Sequence, residues 1–305
     1  MAYQTSSRRR LALAAGLLAL AFNGASAADE STAGERTPDA LRPYVFQTLD
    51  FPGASQTIVW GLDDFDDMAG QAAMPGGVSH AITIHHGRFQ ALDPARLGNA
   101  FSAAGGPNDA GTTYGGYADA TGTQHGFVIR EGRFETVDFR GHLNSNIDAV
   151  DLSGRVLGVY WDADHVFHGM LSHHGNEVPF DVDGALDTYP LGQNEAGESV
   201  GYWDTDGVVT HGYLRHANGQ VTTLDMPGAA ATVAFAINDC GQVAGYYTES
   251  SGALHGFVKT GQRFRQIDVP GAVATIVTTL NNRGSVAGEY FDAAGVRHGF
   301  LGVLK

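Results

Sequence analysis

The chain has 305 residues, of which 42 are Gly and one is Cys, and its formal charge is −15. So few Lys and Arg argue against a nucleic-acid partner, and a single Cys240 excludes an internal disulfide. With 17% charged residues and this much Gly, the composition suits a turn-rich all-β protein.

Residues 1–27 have the layout of an export signal. Arg8-Arg9-Arg10 supply a basic start, Leu11 to Phe22 an apolar run, and Ala25-Ser26-Ala27 a cleavage site near Ala27. This predicts a periplasmic or extracellular protein. Ser7-Arg8-Arg9-Arg10-Leu11 also resembles a twin-arginine signal, so the route of export stays open between the two. The apolar run is too short for a membrane span, and no other segment is a candidate. Three of the 18 Lys and Arg leave with the signal, taking the charge to −18 and favouring solubility, a monomer, and neutral or cationic partners. Residues 28–43 are polar and read as a flexible lead-in.

From residue 44 to the end, one pattern recurs six times at spacings of 43 to 45 residues. His-Gly-aromatic, or a variant, starts at His80, His125, His168, His211, His255 and His298. An apolar-Asp pair, often followed by Pro-Gly-Ala, has its acid at Asp50, Asp93, Asp138, Asp181, Asp225 and Asp268. Asn/Asp-x-x-Gly-x-x-x-Gly starts at Asp63, Asn108, Asp151, Asn194, Asn238 and Asn281. A period of about 40–50 residues built from short strands and Gly-rich turns is the signature of a β-propeller with one four-stranded blade per repeat. In the repeat over residues 232–268, apolar or β-branched runs at 232–237, 242–247, 254–259 and 263–268 are its four strands, separated by Gly, Asn and Asp turns. Residues 44–305 are therefore expected to form a six-bladed all-β propeller.

The hairpin between strands three and four sets each landmark His opposite the following landmark Asp. A two-residue turn at Glu131-Gly132 faces His125 with Asp138, and the same register holds for the other repeats. Six identical dyads do not make six active sites, so these pairs are structural. Removing His255 is expected to cost about 1–3 kcal/mol by stranding a buried partner. The chain begins in a fourth strand (46–50) and ends just after a third (298–301). Pairing the two ends closes the ring, leaves no open sheet edge, and faces His298 with Asp50.

The run H-G-F…G-x-F…I-D-x-P-G-A…T…I-N-x-x-G-x-V-x-G-x-Y, best kept over residues 211–300, resembles the HAF family of bacterial extracellular repeats. The resemblance covers about residues 44–303 and is weakest in the first two repeats. It implies export and a repeated β-structure, and it supplies no catalytic residues.

Several local motifs have bland explanations. Gly197-Glu-Ser199-Val-Gly201 matches a nucleophile elbow but occupies a slot that is plain strand in the other repeats. Asp63-Asp-Phe-Asp-Asp67, Asp162-Ala-Asp164 and Asp204-Thr-Asp206-Gly207 offer oxygen ligands for Ca2+ without the full loop spacing, and Asp and Gly are also what turns require. No other metal or cofactor is expected. His85-His86 and His173-His174 fall at hairpin tips and read as solvated turn residues. A ring of hydroxyls at Thr57, Ser102, Ser145, Thr188, Thr232 and Thr275 reads as backbone capping.

The functional signal is broken symmetry. The loop entering the inner strand is Pro-Gly-Ala in blades one, five and six. Blades two to four place Arg96 and Asn99, then Arg140, His142 and Asn144, then Asp183 and Asp187 there. Within the inner strands the third position before the landmark Asn/Asp varies most, as Trp60, Gly105, Asp148, Leu191, Phe235 and Thr278, with Asn146 and Tyr189 nearby. A polar sector at one channel mouth over blades two to four is how a symmetric scaffold acquires a site. The first reading is a module binding a small molecule or glycan. The second is a hydrolase, lyase or isomerase with His142 as acid or base, Asp148 or Asp187 orienting it, and Arg96 or Arg140 holding an anion. The third is a structural surface protein.

Overall fold

The computed structural model describes residues 42–92, 101–142 and 144–305. The segment expected to be an export signal and nearly all of the expected lead-in lie outside these residues. The described residues form six four-stranded antiparallel sheets and no helix, so none is present that could cross a membrane. Blade one comprises β2 (Gln56–Leu62), β3 (Met68–Ala73), β4 (Ser79–His85) and β5 (Arg88–Ala91), counted from the axis outward. Blade two is β6 (Ser102–Ala104), β7 (Thr113–Ala118), β8 (Gln124–Arg130) and β9 (Arg133–Val137). Blade three is β10 (Ser145–Val150), β11 (Val156–Trp161), β12 (Phe167–His173) and β13 (Asn176–Phe180). Blade four is β14 (Asp187–Gln193), β15 (Ser199–Asp204), β16 (His211–Arg215) and β17 (Val221–Thr223). Blade five is β18 (Ala231–Ile237), β19 (Val243–Thr248), β20 (Leu254–Thr260) and β21 (Arg263–Ile267). Blade six takes β22 (Ala274–Leu280), β23 (Val286–Phe291) and β24 (Arg297–Leu304) from the C-terminal end of the chain and β1 (Tyr44–Leu49) from the N-terminal end. This is the closed six-bladed propeller that the repeat predicts, with Tyr44 opposite Leu304 and Leu49 opposite Gly299 at the seam.

Each landmark has a physical role. The aromatic of His-Gly-aromatic is core: Phe127, Tyr213, Phe257 and Phe300 are fully buried, with Met170 and Ile82 in the other two blades. Burying each large apolar side chain contributes about 1.5–3 kcal/mol. The core accordingly lies in wedges between neighbouring sheets, as where Phe300, Val277 and Ile267 pack together across blades five and six. The landmark Asn caps its own turn and reaches the next blade. Asn238 accepts the amides of Cys240 and Gln242 through Oδ1, and its Nδ2 donates to the Asn281 carbonyl at 3.0 Å. Asn281 in turn donates to the Asp63 carbonyl at 2.9 Å, from blade six to blade one.

The hydroxyl ring does cap backbone. Thr57, Thr188, Thr232 and Thr275 accept the amides of Phe51, Val182, Met226 and Val269 at 2.8–3.0 Å. Ser102 and Ser145 depart from the pattern, bonding the Ala81 amide and the Asp138 carboxylate.

The His-Asp pairs form at His125–Asp138, His168–Asp181, His211–Asp225, His255–Asp268 and His298–Asp50, with Nδ1–carboxylate distances of 2.9 to 3.1 Å. Asp93, the expected partner of His80, lies outside the described residues. Each of these five imidazoles also packs on an aromatic ring of its second strand, such as Tyr290 on His298 at 5.1 Å between centroids. The pairs are more exposed than the sequence suggests, Asp268 being 39% accessible. Water then resolvates the acid when the imidazole is removed. His255→Ala should therefore cost about 1 kcal/mol, below the range of about 1.5–3 kcal/mol for a hydrogen bond to a charged group that is shielded from water. Urea denaturation measures this; a loss above about 3 kcal/mol would mean that the acid is effectively buried.

Candidate functional site

A β-bulge in the inner strand builds the site. In five blades the inner ladder skips one residue: Trp60 in β2, Asp148 in β10, Leu191 in β14, Phe235 in β18 and Thr278 in β22. These are the positions that vary most in the sequence. A bulge takes a residue out of the ladder and re-aims its side chain, here into the central channel. The landmark glycine of the second strand makes room for it. A Cβ on Gly245 would lie 2.0 Å from the Val233 carbonyl oxygen, and one on Gly158 would lie 2.2 Å from that of Asn146. No side chain fits there, so a glycine stands at this position in all six repeats.

The bulge residues, with Gly105 of blade two, form a belt shared by two compartments. Trp60 and Phe235 approach to 6.0 Å between ring centroids within it. On the side where the inner strands begin lies a cavity of about 510 Å³, bounded near its mouth by Ala231, Thr248, Leu254 and Phe291. On the other side lies a vestibule of about 140 Å³ ringed by the landmark turns. Around that vestibule the amides of Asp64, Leu152, Glu195, Asp239 and Asn282 each donate to a side chain of another blade, respectively Asp109, Glu195, Asp239, Asn282 and Asp64. This collar ties blades together.

The large cavity is mostly apolar and aromatic, with Trp60, Trp161, Tyr189, Tyr202, Phe235 and Phe291 in its wall. Its polar side chains include Gln71, Gln124, Asn146, Asp148, Thr278 and Glu289. Asn146 lies two residues before the bulge and donates through Nδ2 to Asp148 Oδ1 at 2.7 Å. Gly116 accommodates this amide, since a Cβ there would stand 2.0 Å from Asn146 Oδ1. Asp148 is half-buried overall, yet its Oδ2 is shut off from solvent and has no hydrogen-bond partner among the described residues. Burial holds its carboxyl well above the ordinary aspartate range, with the Asn146 amide pulling the other way. Its negative charge in turn helps raise the nearby Tyr114, Tyr189 and Tyr213 phenols, for which burial is the larger cause.

A second carboxylate, Glu289 of β23, also lines the cavity and is almost fully buried. Burial pushes it up to about 7, and the Arg297 guanidinium opposes the shift. Arg297 Nε lies 3.1 Å from Glu289 Oε2, a close charge contact that is not aligned as a hydrogen bond. The described wall contains no Lys, Arg or His.

Of the residues singled out by sequence, the structure brings Trp60, Asn146, Asp148, Tyr189 and Phe235 together in this cavity. His142, Arg140, Asn144 and Asp187 are not among its lining residues. The His142 ring packs on Tyr160 at 3.7 Å. Arg140 is exposed, with its guanidinium beside Gly175 at the blade-three hairpin tip, and its amide donates to Glu177. Asn144 accepts the Gln124 amide, and Asp187 accepts the Phe167 amide at 2.9 Å. The structure therefore does not assemble His142 and Asp148 into a dyad at the cavity. Arg96 and Asn99 lie outside the described residues.

The wall draws on all six blades, and its second layer escaped the sequence reading. Gln71, Tyr202, Tyr246 and Glu289 each follow the landmark glycine of the second strand and face the cavity. That position varies from blade to blade as strongly as the bulge does, which is the signal that could have found it. Ser199 is buried within β15, so the elbow-like motif is strand. The acidic runs cap turns: Asp63, Asp162 and Asp204 accept amides of their own loops through Oδ1.

No family model matches the sequence, and no curated protein is similar to it. Among solved structures, the chain is similar to a gluconolactonase from Xanthomonas campestris at 11% identity and a TM-score of 0.50, over 90% of this chain and 99% of that one. It is also similar to a six-bladed fucose-binding lectin from Aleuria aurantia, at 9% identity and a TM-score of 0.46 over 75% and 78% of the two chains. A lectin from Burkholderia pseudomallei gives 12% identity and a TM-score of 0.46 over 87% and 83%. At 11% identity the likeness to the gluconolactonase speaks to the fold alone.

Proposed function

We propose that this chain is an exported binding module that takes a small ligand into the channel cavity. The carrying observation is an aromatic wall interrupted by two buried carboxylates, of which Asp148 Oδ2 has no partner and Glu289 Oε2 has only the unaligned charge contact with Arg297. A buried acceptor left unpaired costs about 1–3 kcal/mol, which a ligand donor recovers once a side-chain rotation of Asp148 presents Oδ2 to the cavity. Trp60, Tyr189 and Phe235 supply flat apolar faces, and Asn146 and Asp148 supply the polar contact. That combination suits a neutral or cationic molecule with one apolar face and hydroxyl or ammonium donors, such as a sugar ring or an amine. Residues 1–27 and the HAF-like repeat support export.

The test is Asp148→Asn, titrated with a panel of methyl glycosides and primary amines. Affinity for whichever probe binds the wild type should fall at least tenfold, while the melting temperature holds or rises. The sign follows from the raised carboxyl. A folded-state value above the unfolded one makes the ionised acid a cost at neutral pH, and that cost vanishes below the ordinary aspartate range. The stability gap between variant and wild type should therefore close as pH falls. Unchanged affinity together with a lower melting temperature would overturn the reading.

The enzyme reading keeps one specific support, the two carboxylates of unlike environment in one cavity. A probe that is turned over with a pH–rate limb near 7, abolished in Glu289→Gln, would establish it. Binding without turnover keeps the module reading.

A further inference from the structure

Outside the channel, blade one carries a cluster of metal-ligating side chains at its edge. Asp67, His85 and His86 each offer one ligand atom, and all three atoms lie within 4.8 Å of one another. We propose that this cluster is a surface site for a divalent transition-metal ion of the Zn2+ class. Two imidazole nitrogens and one carboxylate oxygen are the donor set such ions take, with solvent completing the shell. Ca2+ and Mg2+ prefer all-oxygen sites.

The three ligands are held by backbone. Asp67 ends the acidic turn of blade one, where its amide donates to Asp63 Oδ1 at 2.9 Å and its carbonyl accepts the Asp63 amide at 3.0 Å. Met68 pairs with Ile84 in the β3–β4 ladder, which sets Asp67 beside His85. The carboxylate Oδ2 contacts His85 Nδ1, and Oδ1 accepts the His86 amide at 3.1 Å. His86 and Gly87 both have positive φ, 48° and 75°, as a tight hairpin turn demands. That turn swings the second imidazole to the same side as the first, with ring centroids 4.2 Å apart. On binding, the ion takes the place of the proton between Asp67 and His85, and that proton moves to His85 Nε2, so the imidazole stays neutral.

The other blades supply internal comparisons. The contact between the residue entering strand two and the hairpin tip recurs as Glu198–His216 in blade four and Gln242–Thr260 in blade five. By itself it is therefore part of the repeat. Blade three repeats the double imidazole at His173-His174 with ring centroids 4.1 Å apart, but has Arg155 where blade one has Asp67. Its Nε is committed to Asp151 at 2.7 Å. Among the described residues, blade one alone combines the carboxylate with two imidazoles. Asp67 belongs to a turn carrying four acids around Phe65 (Asp63, Asp64, Asp66, Asp67), and a protein of negative charge favours cation capture.

The test is calorimetric titration of tag-free, chelator-stripped protein with ZnCl2. One equivalent is expected to bind, and Zn2+ should raise the melting temperature. His85→Gln and Asp67→Asn should each weaken binding at least tenfold. His86→Asn should do the same while tolerating the left-handed backbone, and circular dichroism checks that each variant folds. A His173→Gln/His174→Asn variant should bind as the wild type does. Zn2+ binding unaltered by all three blade-one substitutions, or no binding to folded wild-type protein, would overturn the proposal.

Discussion

Deleting residues 44–50 should convert the closed ring into an aggregating, partly unfolded chain. The segment contributes the outer strand of blade six, with six ladder positions against β24. It also carries the Asp50 partner of His298, the edge-on contact of Phe46 with Phe300 at 5.8 Å, and the buried Leu49. Its loss strips the cover from Phe300 and leaves β24 as an unpaired edge, the feature that natural sheets avoid because it templates pairing with other chains. The closed ring couples all six sheets, so the defect is not confined to one blade. A domain's net stability is only about 5–15 kcal/mol, and losing a strand of this size removes a large part of it. Size-exclusion chromatography and thermal melting of the truncated and full-length chains decide the matter. A monomeric truncation melting at the full-length temperature would show that the seam carries little of the stability.

Gly158→Ala should be nearly as damaging, although it adds one methyl group. The new Cβ would lie 2.2 Å from the Asn146 carbonyl and 2.9 Å from the Phe139 ring, with backbone on one side and a buried ring on the other. Overpacking a tight interior typically costs about 1–3 kcal/mol, and a clash with ladder backbone belongs at or above the top of that range. The only relief is to shift the β10 strand, which carries Asn146 and the bulged Asp148. Gly158→Ala should therefore lose stability and ligand affinity together, whereas Asp148→Asn loses affinity alone. Guanidinium denaturation paired with probe titration separates the two patterns. If Gly158→Ala is as stable as the wild type, the glycine is not what permits the bulge.

The fold could be read from the sequence because each landmark answers a local, repeated demand. The buried aromatic after His-Gly, the cross-strand His-Asp register, the capping Asn and the hydroxyl six residues before the turn are each set by neighbours in sequence or one hairpin away. The candidate site was legible only in part. Trp60, Asp148 and Phe235 stood out because the bulge position varies within an otherwise uniform strand, and the structure places all three in the cavity. Gln71, Tyr202 and Glu289 were passed over because reaching the channel depends on the register of the second strand against the bulge, which no local motif reveals. His142 and Arg140 drew attention as polar departures from Pro-Gly-Ala. Their side chains instead pack on Tyr160 and beside Gly175, since a loop's composition does not fix where its side chains turn.

Crystals soaked with a mixture of methyl glycosides and primary amines test the channel most directly. Density is expected in the large cavity, against Trp60 and Phe235, with a donor atom within hydrogen-bond distance of Asp148 Oδ2. Density confined to outer blade surfaces, with the channel unchanged, would contradict the assignment of this cavity as the ligand site.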